Sequence, residues 1–371
     1  MIYLDYSATT PVSKHVLKED RKFHQRSFAN SNSLHDLGQL ASEEIENATS
    51  KIEATLAYDG FDIVYTSGAT ESNNLALKAI AAQYRPKGNH IITTPFEHGS
   101  IVTTLNVLSQ QGFEIDVVSI DESGHVDLDD LKSLMSDQTI LLTVGLVNSE
   151  LGVVQDLSAI RACIDQHPQL IFHSDMTQAV GKMTIDFSPV DLASFSGHKI
   201  YGFKGIGALL YKEDVRLTPL IHGGKSVSPH RGGTPPTSLI YALGVAVEDA
   251  YKNFEKKHQH IHALNHYLRD AFKDNEHIWI NSPNDALPHI LNISIKGTVA
   301  KNVQDYLSNH GIYVSTTSAC SSNQPFSRVV LALTDDLKRA ESSIRISISH
   351  LTSKKECQKL IETLETYHES R

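Results

Sequence analysis

The sequence predicts an α/β fold: a mostly parallel, seven-stranded sheet joined to a smaller α+β domain. Three observations lead there. Short apolar, β-branched runs alternate with longer amphipathic stretches up to about residue 235, the pattern of strands and their covering helices. Polar residues gather directly behind several of those runs, where open α/β sheets bind ligands. Beyond residue 235 the texture changes to long helical periodicity with two strand-like runs.

In chain order, the opening residues are expected to pack near the sheet, and a helix over 36–57 leads into it. Strands are expected at 62–66 (DIVYT), 90–94 (HIITT), 114–119 (EIDVVS), 139–147 (TILLTVGLV), 169–173 (QLIFH), 191–196 (DLASFS) and 206–211 (IGALLY). Helices fill 70–84, 99–111, 127–136 and 156–167. The loop before the last strand is short, which leaves an antiparallel return open. A long helical pattern then covers 237–273, strands follow at 289–295 and 344–349, and a helix over 353–369 puts Cys357, Leu360, Ile361 and Leu364 on one face.

The 371 residues suffice for a buried core, and 40% hydrophobic with 20% charged residues is ordinary for a globular protein. A formal net charge of -10 repels phosphate backbones, so direct nucleic-acid binding is not expected. The opening MIYLDYSATTP carries Asp5 and no long apolar stretch, unlike a signal peptide, and no run of 18 apolar residues suggests a membrane span. The three cysteines, at 163, 320 and 357, cannot all pair, and a reducing, cytoplasmic setting is the simplest reading.

Five strands aim chemistry at one crevice. They run into Ser67-Gly68-Ala69-Thr70, Glu97-His98, Asn148-Ser149-Glu150, Ser174-Asp175 with Gln178, and Gly197-His198-Lys199. A phosphate-bearing aldehyde cofactor needs groups of this kind. The turn opening a helix offers backbone N–H groups and a hydroxyl to an anion. Lys199, at a strand end rather than on a solvated helix face, offers the amine for a Schiff base. Asp175 offers the carboxylate that keeps a pyridine nitrogen protonated, and His98 offers a flat group to cover the ring. A lone lysine is usually a surface group; one that follows a buried strand needs a reason.

Cys320 lies in STTSACSSNQPFS (315–327), whose small polar composition reads as a loop. A reactive thiol must be exposed and able to ionise, and a loop permits both. Cys163 and Cys357 sit on apolar helix faces and read as core. His258, His262 and His266 recur every four residues but lie off the Ile261-Leu264-Leu268 stripe, so they read as a solvated face, and no metal site is expected. Gly197-His198-Lys199 lacks the spacing of a P-loop, and no Cys-x-x-Cys pair is present.

These residues resemble a family. From YLDYSATTP at 3–11 to SSIRISIS at 342–349, the chain is similar to the cysteine desulfurases of the class V aminotransferase-like, fold-type I pyridoxal-phosphate enzymes. The most specific stretches are TSGATESNNLA (66–76), HIIT with EH (90–98), SFSGHKIYG (194–202), KGIGALL (204–210), RGGT (231–234) and TSAC (317–320). The resemblance implies a pyridoxal 5′-phosphate cofactor, L-cysteine as substrate, and conversion to L-alanine with the sulfur parked on Cys320 as a persulfide. It implies Lys199 as the Schiff-base lysine and proton mover, Asp175 on the pyridinium, Gln178 on the phenolic oxygen and His98 stacked on the ring and moving a proton. Thr70, Ser196 and His198 would hold the phosphate, and Ala69 would also contact the cofactor. In family dimers the partner subunit adds a phosphate contact, and Thr234 matches that position. Arg345 would clamp the substrate carboxylate, with Asn148 near it. The implied domains are 13–235, binding the cofactor, and 1–12 with 236–371, carrying the cysteine loop.

Several positions depart from the family. Asn148-Ser149-Glu150 stands where Asn-Asn-Glu is usual, so a cofactor contact weakens at Ser149 or falls to Asn148. The segment GGKSVSPHRGGT (223–234) differs from the family's Gly-, Gln- or His-, Glu- and Arg-rich one, and Asn30-Ser31-Asn32-Ser33 replaces Asn-Pro-Ser-Ser. The chain stops soon after its final helix, without the extension by which some relatives grip an iron–sulfur scaffold, which favours a tRNA-thiolation enzyme over such a scaffold as the sulfur acceptor. Three alternatives stay open: a selenocysteine lyase, a class V aminotransferase, which has no use for a loop thiol, and a degenerate binding or regulatory subunit.

Overall fold

The computed structural model describes residues 1–224, 226–316 and 325–369. Its strands are β1 (Ile2–Tyr3), β2 (Phe61–Thr66), β3 (His90–Thr93), β4 (Glu114–Val117), β5 (Thr139–Thr143), β6 (Ile171–Asp175), β7 (Leu192–Ser196), β8 (Gly207–Lys212), β9 (Ile278–Ile280), β10 (Ile290–Ile295), β11 (Ile312–Tyr313) and β12 (Ser343–Ser347). Its helices are α1 (Lys14–Arg26), α2 (Asp36–Leu56), α3 (Ala69–Tyr84), α4 (Gly99–Gln110), α5 (Leu128–Leu134), α6 (Leu157–Ile164), α7 (Thr237–Tyr251), α8 (Phe254–Phe272), α9 (Ala300–Asn309), α10 (Arg328–Thr334), α11 (Leu337–Glu341) and α12 (Lys354–Glu369).

The seven-stranded sheet runs β2-β8-β7-β6-β5-β3-β4. β8 is antiparallel to both β2 and β7, and the remaining pairs are parallel. The link from Ser196 to Gly207 is too short for a crossover helix, so β8 has to return antiparallel. The strands other than β8 therefore all end on one edge, at Thr66, Thr93, Val117, Thr143, Asp175 and Ser196.

β5 and β7 are buried at every position, as central strands covered on both faces are. Alternate residues face opposite cores. Leu142 and Phe172 meet Ile45, Ile52 and Leu243 on one side, while Leu141 and Ile171 meet Leu75, Ile80, Ile101 and Leu105 on the other. Burying a leucine or phenylalanine side chain of this kind contributes roughly 1.5–3 kcal/mol.

A second core gathers Leu4, Ile261, Leu268, Ile293, Ile344, Cys357 and Leu360. Around it lie the antiparallel sheet β12-β10-β9, the parallel pair β1-β11, and α8, α9 and α12. The chain opening thus belongs to two places: Ile2 pairs with Ile312, whereas Thr10 Oγ1 donates to the His198 carbonyl at the sheet edge (2.9 Å).

The structure corrects several expected boundaries. The pattern over 237–273 is two helices, broken at Lys252 and Asn253, where Asn253 has φ 55°. Asparagine tolerates that left-handed conformation. The break lets Leu243 and Ala246 join the first core while Ile261 and Leu264 join the second. β5 stops at Thr143, because beyond it Gly145 N–H turns to a side chain, that of Glu97. β6 starts two residues later than expected, so Asp175 closes the strand rather than following it. His262 and His266 are exposed on α8, opposite Ile261 and Leu268. No helix among the described residues is long and apolar enough to cross a membrane.

Candidate active site

At the carboxyl edge of the sheet lies a cavity of about 360 Å³. Ala69, Thr70, His98, Asn148, Ser149, Asp175, Gln178, Ser196, His198, Lys199 and Arg345 all line it. Thr234 is exposed and is not among its lining residues. Cys320 lies outside the described residues.

β2 leaves the sheet at Thr66, turns through Ser67 and Gly68, and enters α3 at Ala69. Gly68 has φ 147°, open to glycine alone. No described side chain caps the helix here, so its first N–H groups are available to an anion. Gly207 of the neighbouring β8 packs so closely that a Cβ on it would lie 2.7 Å from Gly68 Cα. Glu71 ties the turn down: its carboxylate accepts from Ser67 N–H at 2.7 Å and from Arg231 Nε at 3.0 Å. The RGGT segment is thereby anchored to the same turn.

β7 ends in a single 3-10 turn, Gly197–Lys199. Lys199 Nζ donates to the carbonyls of Ser7 (2.5 Å) and Ala8 (2.8 Å). Tyr201, two residues on, has φ 64°, a strained conformation for an aromatic residue. Thr10 Oγ1 accepts its N–H at 2.8 Å and Ser349 Oγ takes its hydroxyl proton at 2.7 Å. Burial, and then the charges of Lys199 and Lys204, push the His198 pKa down to about 4, so its ring is neutral at pH 7.

Asp175 is held on both oxygens. Oδ1 accepts from Thr177 N–H (2.9 Å) and Oδ2 from Asn73 Nδ2 (2.7 Å). The same Asn73 nitrogen donates to Ser100 Oγ at 2.9 Å, and Ser100 Oγ meets His98 Nδ1 at 2.8 Å. His98 caps α4, with Nδ1 accepting from Ser100 N–H at 3.1 Å. Nδ1 is therefore an acceptor, which puts the proton of the neutral ring on Nε2.

Beside His98, Glu97 is buried. Its Oε1 accepts from Thr94 Oγ1 (2.8 Å) and Gly145 N–H (2.9 Å), and its Oε2 has no partner among the described residues. Burial pushes its pKa up to about 7 against the lowering effect of those two hydrogen bonds. Asn148 spends its side chain within the protein, donating to Phe96 O and accepting from Glu150 and Leu151 N–H. Ser149 contributes its carbonyl, which accepts from Arg345 Nη1 at 2.9 Å.

Arg345, central on β12, also donates from Nη2 to Asp5 Oδ1 at 2.7 Å. Asp5 and Ser149 thus orient the fork. The segments flanking 317–324 are tied to the same rim. Ser315 exchanges backbone hydrogen bonds with Arg345 and donates its hydroxyl to Asp5, while Ser327 Oγ donates to Glu150 Oε2 at 2.6 Å. Sequence reasoning did not single out Asn73, Asp5 or Ser100. Their polar side chains on otherwise ordinary segments give no local signal.

A family model described as aminotransferase class-V matches residues 2–360. The chain belongs to that family. It is 35% identical to cysteine desulfurase IscS of Dictyoglomus turgidum over 98% of this chain and 93% of that protein. It is 40% identical to cysteine desulfurase IscS of Rickettsia rickettsii, over 96% and 88%. Among solved structures, one titled NifS-like protein superposes with a TM-score of 0.93 at 31% identity, covering all of both chains. SspA in complex with cysteine gives 0.82 at 33%, covering 95% of this chain and all of that one.

Members of the family use pyridoxal 5′-phosphate, and the donor set fits it. The cavity offers the Lys199 amine at a strand end, the Asp175 carboxylate steadied on both oxygens, and a helix N-terminus with an open glycine turn. Each matches one functional group of that cofactor.

Proposed function

We propose that this chain is a pyridoxal-phosphate-dependent cysteine desulfurase, converting L-cysteine to L-alanine and transferring the sulfur to Cys320. The convergence of Lys199, Asp175, the Gly68 turn and Arg345 on one cavity carries the reading. The cofactor, when bound, supplies an electron sink for the carbon that loses its proton.

The chain's own residues do the rest. Lys199 supplies the amine that holds the aldehyde and, once released, takes the substrate α-proton. Asp175 keeps the ring nitrogen protonated, with Asn73 and Thr177 holding its carboxylate in place. Ala69, Thr70, Ser196 and His198 bind the phosphate. The Arg345 fork takes the substrate carboxylate in a bidentate pair. His98 covers the ring and moves a proton at Nε2. The Cys320 thiolate forms a bond to the substrate sulfur as the carbon–sulfur bond breaks, the electron pair going to carbon. The anchoring of Ser315 and Ser327 at the cavity rim supports a cysteine delivered from between them.

The finer reading is a homodimer in a reducing cytoplasm, passing sulfur to an acceptor protein of tRNA thiolation or iron–sulfur assembly. Phe28, Leu34, Leu37 and Leu40 are exposed, and so are Leu220, Ile221 and Val227, and a Ser226 Oγ–Asn32 Oδ1 hydrogen bond of 2.9 Å joins the two segments. An apolar surface of this kind suits a second copy, which would bring Thr234 to the neighbouring cavity.

The deciding experiment is alanine and sulfide release from L-cysteine by the purified protein, with Lys199→Ala alongside. Release by the parent and loss in the variant are expected. An inactive parent that contains pyridoxal phosphate and is supplied with a thiol reductant sinks the reading.

A further inference from the structure

Lys182 is buried, with 7% of its surface exposed. It lies four residues beyond Gln178 in the turn segment after β6, and its Nζ donates to Gln178 Oε1. The other end of that amide, Nε2, donates to the Ser7 carbonyl at 2.9 Å, and the same carbonyl accepts from Lys199 Nζ. The amide cannot turn over without setting Oε1 against a carbonyl oxygen. The chain Lys182, Gln178, Ser7, Lys199 is thus a run of hydrogen bonds with one polarity at the glutamine.

Beside Lys182 lies a narrow, partly enclosed space of about 30 Å³, large enough for a single water. Tyr6, Tyr201, His289 and His350 border it, and no carboxylate does. His289 Nδ1 has no partner among the described residues. An ammonium ion here would have no counter-charge. Burial first, and then the charges of Lys199 and Arg345, push the Lys182 pKa well down. With Gln178 Oε1 as its acceptor and no carboxylate at hand, Lys182 is placed here as a hydrogen-bond donor.

We propose that Lys182 is a positioning residue for the cofactor: by holding Gln178 Oε1 it keeps the amide N–H donors on the cavity side, where they meet an oxyanion on the bound ring. This rests on the pyridoxal-phosphate reading above. A purely structural lysine would fill space without caring what stands at 178.

The test is a double-mutant cycle read by equilibrium binding of pyridoxal 5′-phosphate to apoprotein, with no turnover involved. Lys182→Met keeps length and suits a site without a carboxylate. It should raise the dissociation constant about tenfold, the loss of one well-placed hydrogen bond. In a Gln178→Ala background, where the amide is already gone, the same substitution should add less than about twofold. Lys182→Gln, which keeps a donor, should stay within about threefold of the parent. Equal losses from Lys182→Met in both backgrounds would overturn the positioning role, as would a Lys182→Gln variant that binds as weakly as Lys182→Met. A parent that does not bind the cofactor at all sinks the pyridoxal-phosphate reading first, which separates the two failures.

Discussion

Asp5 Oδ1 lies 2.7 Å from Nη2 of Arg345, and their side chains are 18% and 2% exposed. Removing one member of a buried pair costs about 3–5 kcal/mol, because the other charge is left unpaired. Asp5 keeps some contact with water, so Asp5→Asn should lower stability by about 2–3 kcal/mol. Urea unfolding at pH 7 reads this out, and an unchanged midpoint refutes the pairing. Arg345→Lys keeps the charge but loses the fork, so it should raise KM for cysteine about tenfold with a smaller effect on kcat.

Glu97 predicts a pH dependence of stability. Its folded pKa, about 7, stands above the ordinary 4.5. The folded state therefore holds the proton more tightly, and this contribution is fully present below pH 4.5. It is lost as pH rises through 7. Glu97→Gln should remove that loss. The stability difference between parent and variant should shift in favour of the variant between pH 5 and pH 8, about half a unit above the lower limit and one above the upper. Half-buried histidines such as His198 and His350, pushed down to about 4, act in the opposite direction, but they cancel in the difference. A constant difference between the two proteins across this range would contradict the assignment.

The Gly68 turn depends on two glycines for different reasons. At Gly68 there is room, since an added Cβ would lie 3.5 Å from Ser196 Oγ, but φ is 147°. At Gly207 an added Cβ would meet Phe195 O at 2.6 Å. Gly68→Ala should weaken phosphate-dependent cofactor binding by about tenfold through backbone strain of 1–3 kcal/mol, roughly. Gly207→Ala should in addition lower the melting temperature, because β8 sits between two strands and has to move. Calorimetry of the apoproteins separates the two effects.

The cysteines should divide cleanly. Burial pushes the Cys357 thiol up to about 11 and raises that of Cys163, so both stay protonated near neutral pH. After cysteine treatment, mass spectrometry should find added sulfur on the Cys320 peptide alone. Cys320→Ser should still bind cysteine but release almost no alanine, while Cys163→Ser and Cys357→Ser turn over. Unimpaired turnover by Cys320→Ser would favour the aminotransferase-like alternative.

Much of this was legible in the sequence because it is local. The strand–helix alternation and the polar residues closing β2, β6 and β7 follow from runs of a few residues, and those runs point at one edge once the sheet is parallel. What stayed hidden is of two kinds. Asn253 breaks a helix whose apolar periodicity runs on across it, so no pattern marks the break. The pairing of Asp5 with Arg345 spans 340 positions, and the hold of Ser149 on Arg345 uses a carbonyl, which every residue possesses. Asn73 and Lys182 are read from the sequence as ordinary polar residues, and Glu97 only as the neighbour of His98 at a strand end; tertiary packing strips water from them and makes each hydrogen bond matter.

The strand pairing has a bearing on biosynthesis. Ile2 pairs with Ile312, and Asp5 waits for Arg345. The edge carrying the Gly68 turn is likewise open until Gly207–Lys212 has formed β8 between β2 and β7. On the ribosome, the anion-binding turn can close once residues through 212 have emerged, but Asp5 has no guanidinium fork to orient until residue 345 has left the exit tunnel. A nascent chain stalled between those points would assemble the phosphate end of the cavity and leave the end that recognises the amino acid unbuilt.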